Sequence, residues 1–154
     1  MTSKADFNAE EWSLVLEGPP TAGMVVMGAE RGGAIRETVS MAQAYVEARQ
    51  REGPSELLDA IVAEQPRVDT ARYRSVEELR GEGLQRLREA VELLEQKASP
   101  EELDDYRRFV LTVAERVARA HKEGGFLGVG GQRVSDSEQA ALDEVAATIG
   151  AESR

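Results

Sequence analysis

Ser99-Pro100-Glu101-Glu102-Leu103-Asp104-Asp105-Tyr106-Arg107-Arg108-Phe109-Val110-Leu111-Thr112-Val113-Ala114-Glu115-Arg116-Val117 is the stretch that decides the fold class. It opens with a complete helix-start signal. Ser99 caps, Pro100 takes the first helical position, where its missing N–H costs nothing, and Glu102 stands where it can reach back to the cap. Leu103, Tyr106, Phe109 or Val110, Val113 and Val117 then recur at the spacing of one helix face, with charged residues between them. The pattern runs to about Lys122.

The same grammar extends outward in both directions. Upstream, Ser75 and Glu78 form a capping box for a helix to about Ala98, carrying Val76, Leu79, Leu84, Leu87, Val91 and Leu94. Gly81 and Gly83 weaken its first half. Ser55 caps a short helix through Leu57, Leu58, Ile61 and Val62, which Pro66 ends, and residues 67 to 74 read as a loop. A further helix runs to about Gln50 with the stripe Ile35, Val39, Ala42 and Tyr45 or Val46. Asn8 and Glu11 box the start of a first helix with Trp12, Val15 and Leu16. Gly18-Pro19-Pro20 is expected to stop it, leaving a separate apolar helix from about Thr21 to Glu30. Downstream, Ser135 and Glu138 make another box, Leu142, Val145, Ala146 and Ile149 form the last stripe, and Gly150 stops it. Period-two alternation is scarce, and a small hairpin within Phe126 to Val134 is the one exception the sequence tolerates. The expectation is an all-α, single-domain bundle of about six to seven helices over residues 1–154, with 1–6 and 151–154 as loose ends.

Composition narrows the function. The chain has 154 residues, 19 basic against 29 acidic side chains and a net charge of −10. That balance opposes a nucleic-acid partner, which asks for a basic footprint, and an anionic membrane surface. There is no cysteine, which removes disulfides, thiolate nucleophiles and thiolate zinc sites. No apolar signal core or span-length segment is present, so the expected location is cytoplasmic.

Two joints depart from ordinary helix-and-turn chemistry. The larger runs from Glu123 to Glu138 and holds Gly124, Gly125, Gly128, Gly130 and Gly131 around Phe126, Leu127 and Val129. The smaller is Ala29-Glu30-Arg31-Gly32-Gly33-Ala34-Ile35-Arg36-Glu37. Each sets an acidic residue and a Gly-Gly pair after an apolar helix, then a hydrophobic residue and a glutamate opening the next helix. Helix, small residue, acid, glycine, apolar residue and glutamate, occurring twice, resembles the TerB-like (tellurite-resistance) family. The resemblance covers the two joints and the helical length. Here glutamates stand where that family has aspartates, Arg31 interrupts the first copy, and a glycine insert splits the second. The resemblance implies an all-helical fold, a stress-associated role and binding of a divalent cation, calcium or magnesium, by Glu30, Glu37, Glu123, Asp136 and Glu138. Read from the residues alone, Glu37, Asp136 and Glu138 equally serve as first-turn carboxylates that favour the helix dipole.

Other chemistry is poorly supported. His121, the single histidine, lies in a last helical turn, where it favours the dipole, although with Glu123 nearby it could also act as a general base. The glycine loop lacks the Gly-Lys-Ser/Thr of a phosphate-binding loop and has no preceding strand. Phe126, Leu127 and Val129 either tuck into the core or form a docking hook, with Arg133 bonding a helix end or a partner carboxylate. The mixed charges of Arg86, Arg88, Glu89, Glu92 and Glu95 read as solvated helix surface. The sequence therefore favours a non-enzymatic interaction module, with a protein partner or self-association and no catalytic residues. The alternative is a small metal-dependent enzyme using the acidic cluster, and a third reading is a structural oligomerisation domain.

Overall fold

The computed structural model describes residues 3–28, 34–50, 55–64, 73–123 and 136–150; within these, the side chains of 34–40, 120–123 and 136–137 are not described. Six α-helices lie among the described residues, and no strand: α1 Ala9–Gly28, α2 Ala34–Gln50, α3 Glu56–Val62, α4 Val76–Lys97, α5 Pro100–Glu123 and α6 Asp136–Ile149. The expected all-α bundle is the observed one.

The start signals act as the sequence implies. Asn8 and Glu11 exchange hydrogen bonds of 2.9 and 2.8 Å, and Ser99 and Glu102 do so at 3.0 and 3.2 Å. Ser55 Oγ accepts from Leu58 N and Ser75 Oγ from Glu78 N. Each bond satisfies a backbone donor that the first helical turn leaves without a partner. Gly150 closes α6 with a φ of +75°, the left-handed angle that glycine adopts without Cβ strain. Arg107 of α5 donates to the Ile149 carbonyl at 2.6 Å, tying the end of α6 to α5. The proposed boxes at Ser135 and the hairpin within Phe126 to Val134 lie outside the described residues.

One expectation is overturned. Gly18-Pro19-Pro20 does not stop a helix: α1 runs through it as one element of 20 residues. Pro19 has no N–H, so the carbonyl of Val15 loses its usual intrahelical donor. Tyr106 of α5 supplies the replacement, its hydroxyl donating to the Val15 oxygen at 2.7 Å. Gly18 makes room for it. A Cβ at that position would lie 1.9 Å from the tyrosine oxygen. The apolar, fully enclosed middle of α1, from Gly18 to Gly23, explains why the cost is tolerated: this helix runs through the bundle, packed by α4 and α5.

Neighbouring side chains set the helix directions. Gly18 lies against Tyr106 and Leu87, and Gly23 against Val113 and Val117, so α1 and α5 run parallel. Gly83 of α4 meets Thr21 and Val25, while Gly28 meets Val76, so α4 runs antiparallel to α1. Gly83 allows this close approach, since a Cβ there would stand 3.0 Å from Thr21 Cγ2. The core joins Trp12, Val15, Val26, Tyr45, Leu57, Ile61, Leu87, Leu94, Tyr106, Val110, Val113, Val117, Val145 and Ile149.

Four expectations need adjustment. In α2 the inward residues are Met41, Ala44 and Tyr45, whereas Ala42 faces solvent and Val46 is 45% exposed. Tyr45 won the choice with Val46 because its ring meets Phe109 edge-on at 4.9 Å. Val76 is 50% exposed at the first position of α4, where the helix has not yet met its neighbours fully. Arg86, read as solvated surface, is half-buried and holds Glu17 of α1 at 2.6 and 3.0 Å. At the N-terminal end, read as loose, Lys4–Asp6 form a short 3₁₀ turn, and Lys97 donates to the Asp6 carbonyl at 2.8 Å.

Candidate functional site

Parallel α1 and α5 send their C-terminal ends, Gly28 and Glu123, the same way. Helix α2 runs against them: Met41 lies beside Gly23, and Tyr45, one turn further on, meets Phe109 of α5. Helix α6 also runs against α5, because Arg107, near the start of α5, holds the last carbonyl of α6. The N-terminal ends of α2, α4 and α6 therefore share one end of the bundle with the C-terminal ends of α1 and α5. Both joints open from that end.

The structure places the candidate residues unevenly. Glu37 stands in the first turn of α2, Glu123 at the last position of α5, and Asp136 at the first position of α6, all at the joint end. Their side chains, and the whole of Glu30, Phe126, Leu127, Val129 and Arg133, lie outside the described residues. His121 occupies the last turn of α5 on the same terms.

Glu138 is the member whose side chain is described, and it is 1% exposed. A carboxylate taken this far out of water requires hydrogen-bond donors or opposite charge to offset its lost hydration. Glu138 is not without a partner in the fold. Its depth was not legible in the sequence, where a first-turn glutamate is ordinarily a solvated capping group. Carboxylate oxygens are hard donors of the type calcium and magnesium take. Among the described residues, no three acidic or histidine side chains gather to hold a metal ion. A cation at this end would accordingly need the side chains of the joints themselves.

A second feature, absent from the sequence reading, is an open groove between α4 and α6 of about 430 Å³. Arg80 crosses to Glu144 with two guanidinium nitrogens, Nε and Nη2, the Nε bond measuring 2.7 Å. The hydrogen bond from Arg80 holds the Glu144 carboxyl below its ordinary range. That is the opposite of what a general acid near neutral pH needs. Among the described residues, Asp105 is the carboxyl pushed upward, by burial, and it stands on α5 beside Arg108 rather than in the groove. The two interior phenols, Tyr45 and Tyr106, are pushed well above the usual tyrosine range by burial. Tyr106 serves the α1 backbone, and the Tyr45 hydroxyl has no hydrogen-bond partner among the described residues. No helix among the described residues is long and apolar enough to cross a membrane.

The chain matches no family model, and no curated protein or solved structure matches it significantly.

Proposed function

We propose that this chain is a non-enzymatic, cytoplasmic helical interaction module of the TerB-like kind, working at the end where its two glycine joints open. A protein partner docks there through the insert that carries Phe126, Leu127, Val129 and Arg133. The joint carboxylates Glu30, Glu37, Glu123, Asp136 and Glu138 hold a calcium or magnesium ion that orders the two joints together. A stress-associated role follows from the same resemblance.

The observation that supports this reading is the parallel course of α1 and α5, which directs two joints distant in sequence to one end. The carboxylate chemistry and the depth of Glu138 are consistent with it.

Thermal melting with and without millimolar calcium or magnesium tests the metal element. Saturating cation should raise the melting temperature by about 5 °C, as expected for a ligand that binds the folded state alone. Glu30→Gln with Glu123→Gln should abolish the rise. No shift with either cation in the unaltered chain would reject the cation. Phe126→Ser tests the docking element separately: it should leave the melt unchanged and abolish partner binding, whereas unfolding would assign Phe126 to the core.

A further inference from the structure

The first half of α4 turns one face largely outward, with Leu84 packed in part against the core. Glu77, Gly81, Leu84 and Arg88 recur at intervals of four, three and four residues, so they line one side of the helix, with Arg80 and Gln85 flanking them. Leu84 is half-buried and Gly81 exposed. Gly81 differs from the other glycines of the helices. Gly18, Gly23, Gly28 and Gly83 each have a neighbour within 3.2 Å of where a Cβ would stand, and Gly81 has nothing within 4 Å. The bundle's own packing does not call for glycine there, and glycine inside an exposed helix weakens it.

The charges have a pattern that is complementary to itself. Glu77 stands at one end of the face and Arg88 at the other, three helical turns apart. Glu77 makes no ion pair among the described residues, and Arg88 donates there to Gln85 of its own helix at 3.1 Å. Pairing 77 with 88 and 81 with 84 gives one common midpoint, between Glu82 and Gly83. A two-fold axis through that midpoint satisfies both pairs at once.

We propose that α4 is a self-association surface, on which a second copy of this chain docks its own α4 antiparallel. Leu84 of each copy seats over Gly81 of the other, where the absent side chain leaves a hole. Glu77 of each meets Arg88 of the other, while Arg80 is held to the side by Glu144. A parallel arrangement would set like charges against each other and is disfavoured by the same residues. The patch is small, so the dimer is weak and forms at high protein concentration. This surface is separate from the joint end and does not depend on the function proposed there.

Sedimentation equilibrium on the full chain, up to about 1 mM, the weakest affinity of interest, is the test. The unaltered chain should show a monomer–dimer equilibrium. Glu77→Arg and Arg88→Glu should each weaken it by about tenfold, because two attractive pairs become repulsive in the symmetric dimer. The double variant should recover the original affinity. An equimolar mixture of the two single variants should form a heterodimer, because a face with two basic residues then meets one with two acidic residues. All these positions are exposed, and circular dichroism checks that the fold is kept. A monomer at every concentration overturns the proposal and leaves the groove to a different partner. So does a dimer that the single reversals do not weaken, or that the double variant fails to restore.

Discussion

Gly18-Pro19-Pro20 in α1 and Gly81-Glu82-Gly83 in α4 look alike as sequence: each places residues that break helices inside a helical pattern. In the folded chain both are uninterrupted helix, for different reasons. The α1 segment is buried, and a residue from another helix repairs its backbone: Tyr106 replaces the donor that Pro19 lacks. In the α4 segment nothing is missing from the backbone, since glycine keeps its N–H. Its two glycines divide the work, Gly83 admitting α1 and Gly81 facing open space. A helix breaker is therefore informative according to what surrounds it. Where tertiary contacts use it, it reports on packing, and where they do not, it points outward.

The sharpest way to break this comparison is Gly18→Ala. The added methyl would collide with the Tyr106 hydroxyl and crowd Leu87, so unfolding free energy should fall by about 3 kcal/mol or more in urea denaturation. Unchanged stability would mean that Tyr106 does not occupy this niche. Tyr106→Phe keeps the ring and removes the donor, leaving the buried Val15 carbonyl unsatisfied. The expected loss is about 1–3 kcal/mol. Combining the two changes should cost less than their sum, because the missing oxygen relieves part of the clash. Strict additivity would uncouple glycine from tyrosine. Gly81→Ala is the smallest change and has the opposite sign. Measured on dilute monomer, it should add about 0.5–1 kcal/mol by restricting the unfolded chain. A loss there would show that Gly81 has a packing partner within its own chain.

Much of the architecture was legible because it is local. The caps at Asn8, Ser55, Ser75 and Ser99 act on donors three residues away, and the α5 stripe follows from helical period alone. The choice between Tyr45 and Val46 was not legible, since positions about 100° apart can both border an apolar stripe that wide, and the ring of Phe109 on α5 selects one. The same limit applied to Arg86, which reads as surface until Glu17, 69 residues away, is brought beside it. For the candidate site, the repeat of the two joints could be seen in the residues. Their convergence on one end depends on helix directions, and the burial of Glu138 depends on what packs over α6.

The sequence by itself determined that the chain is helical, where most helices begin and which faces are apolar, because caps and periodicity act within a few residues. Tertiary structure alone decided that α1 continues through two prolines, that Glu138 is buried, and that Gly81 faces out while Gly83 faces in. The first depends on a partner 91 residues away, Tyr106 against Val15, and all of them on how the helices pack, about which local preference carries no information.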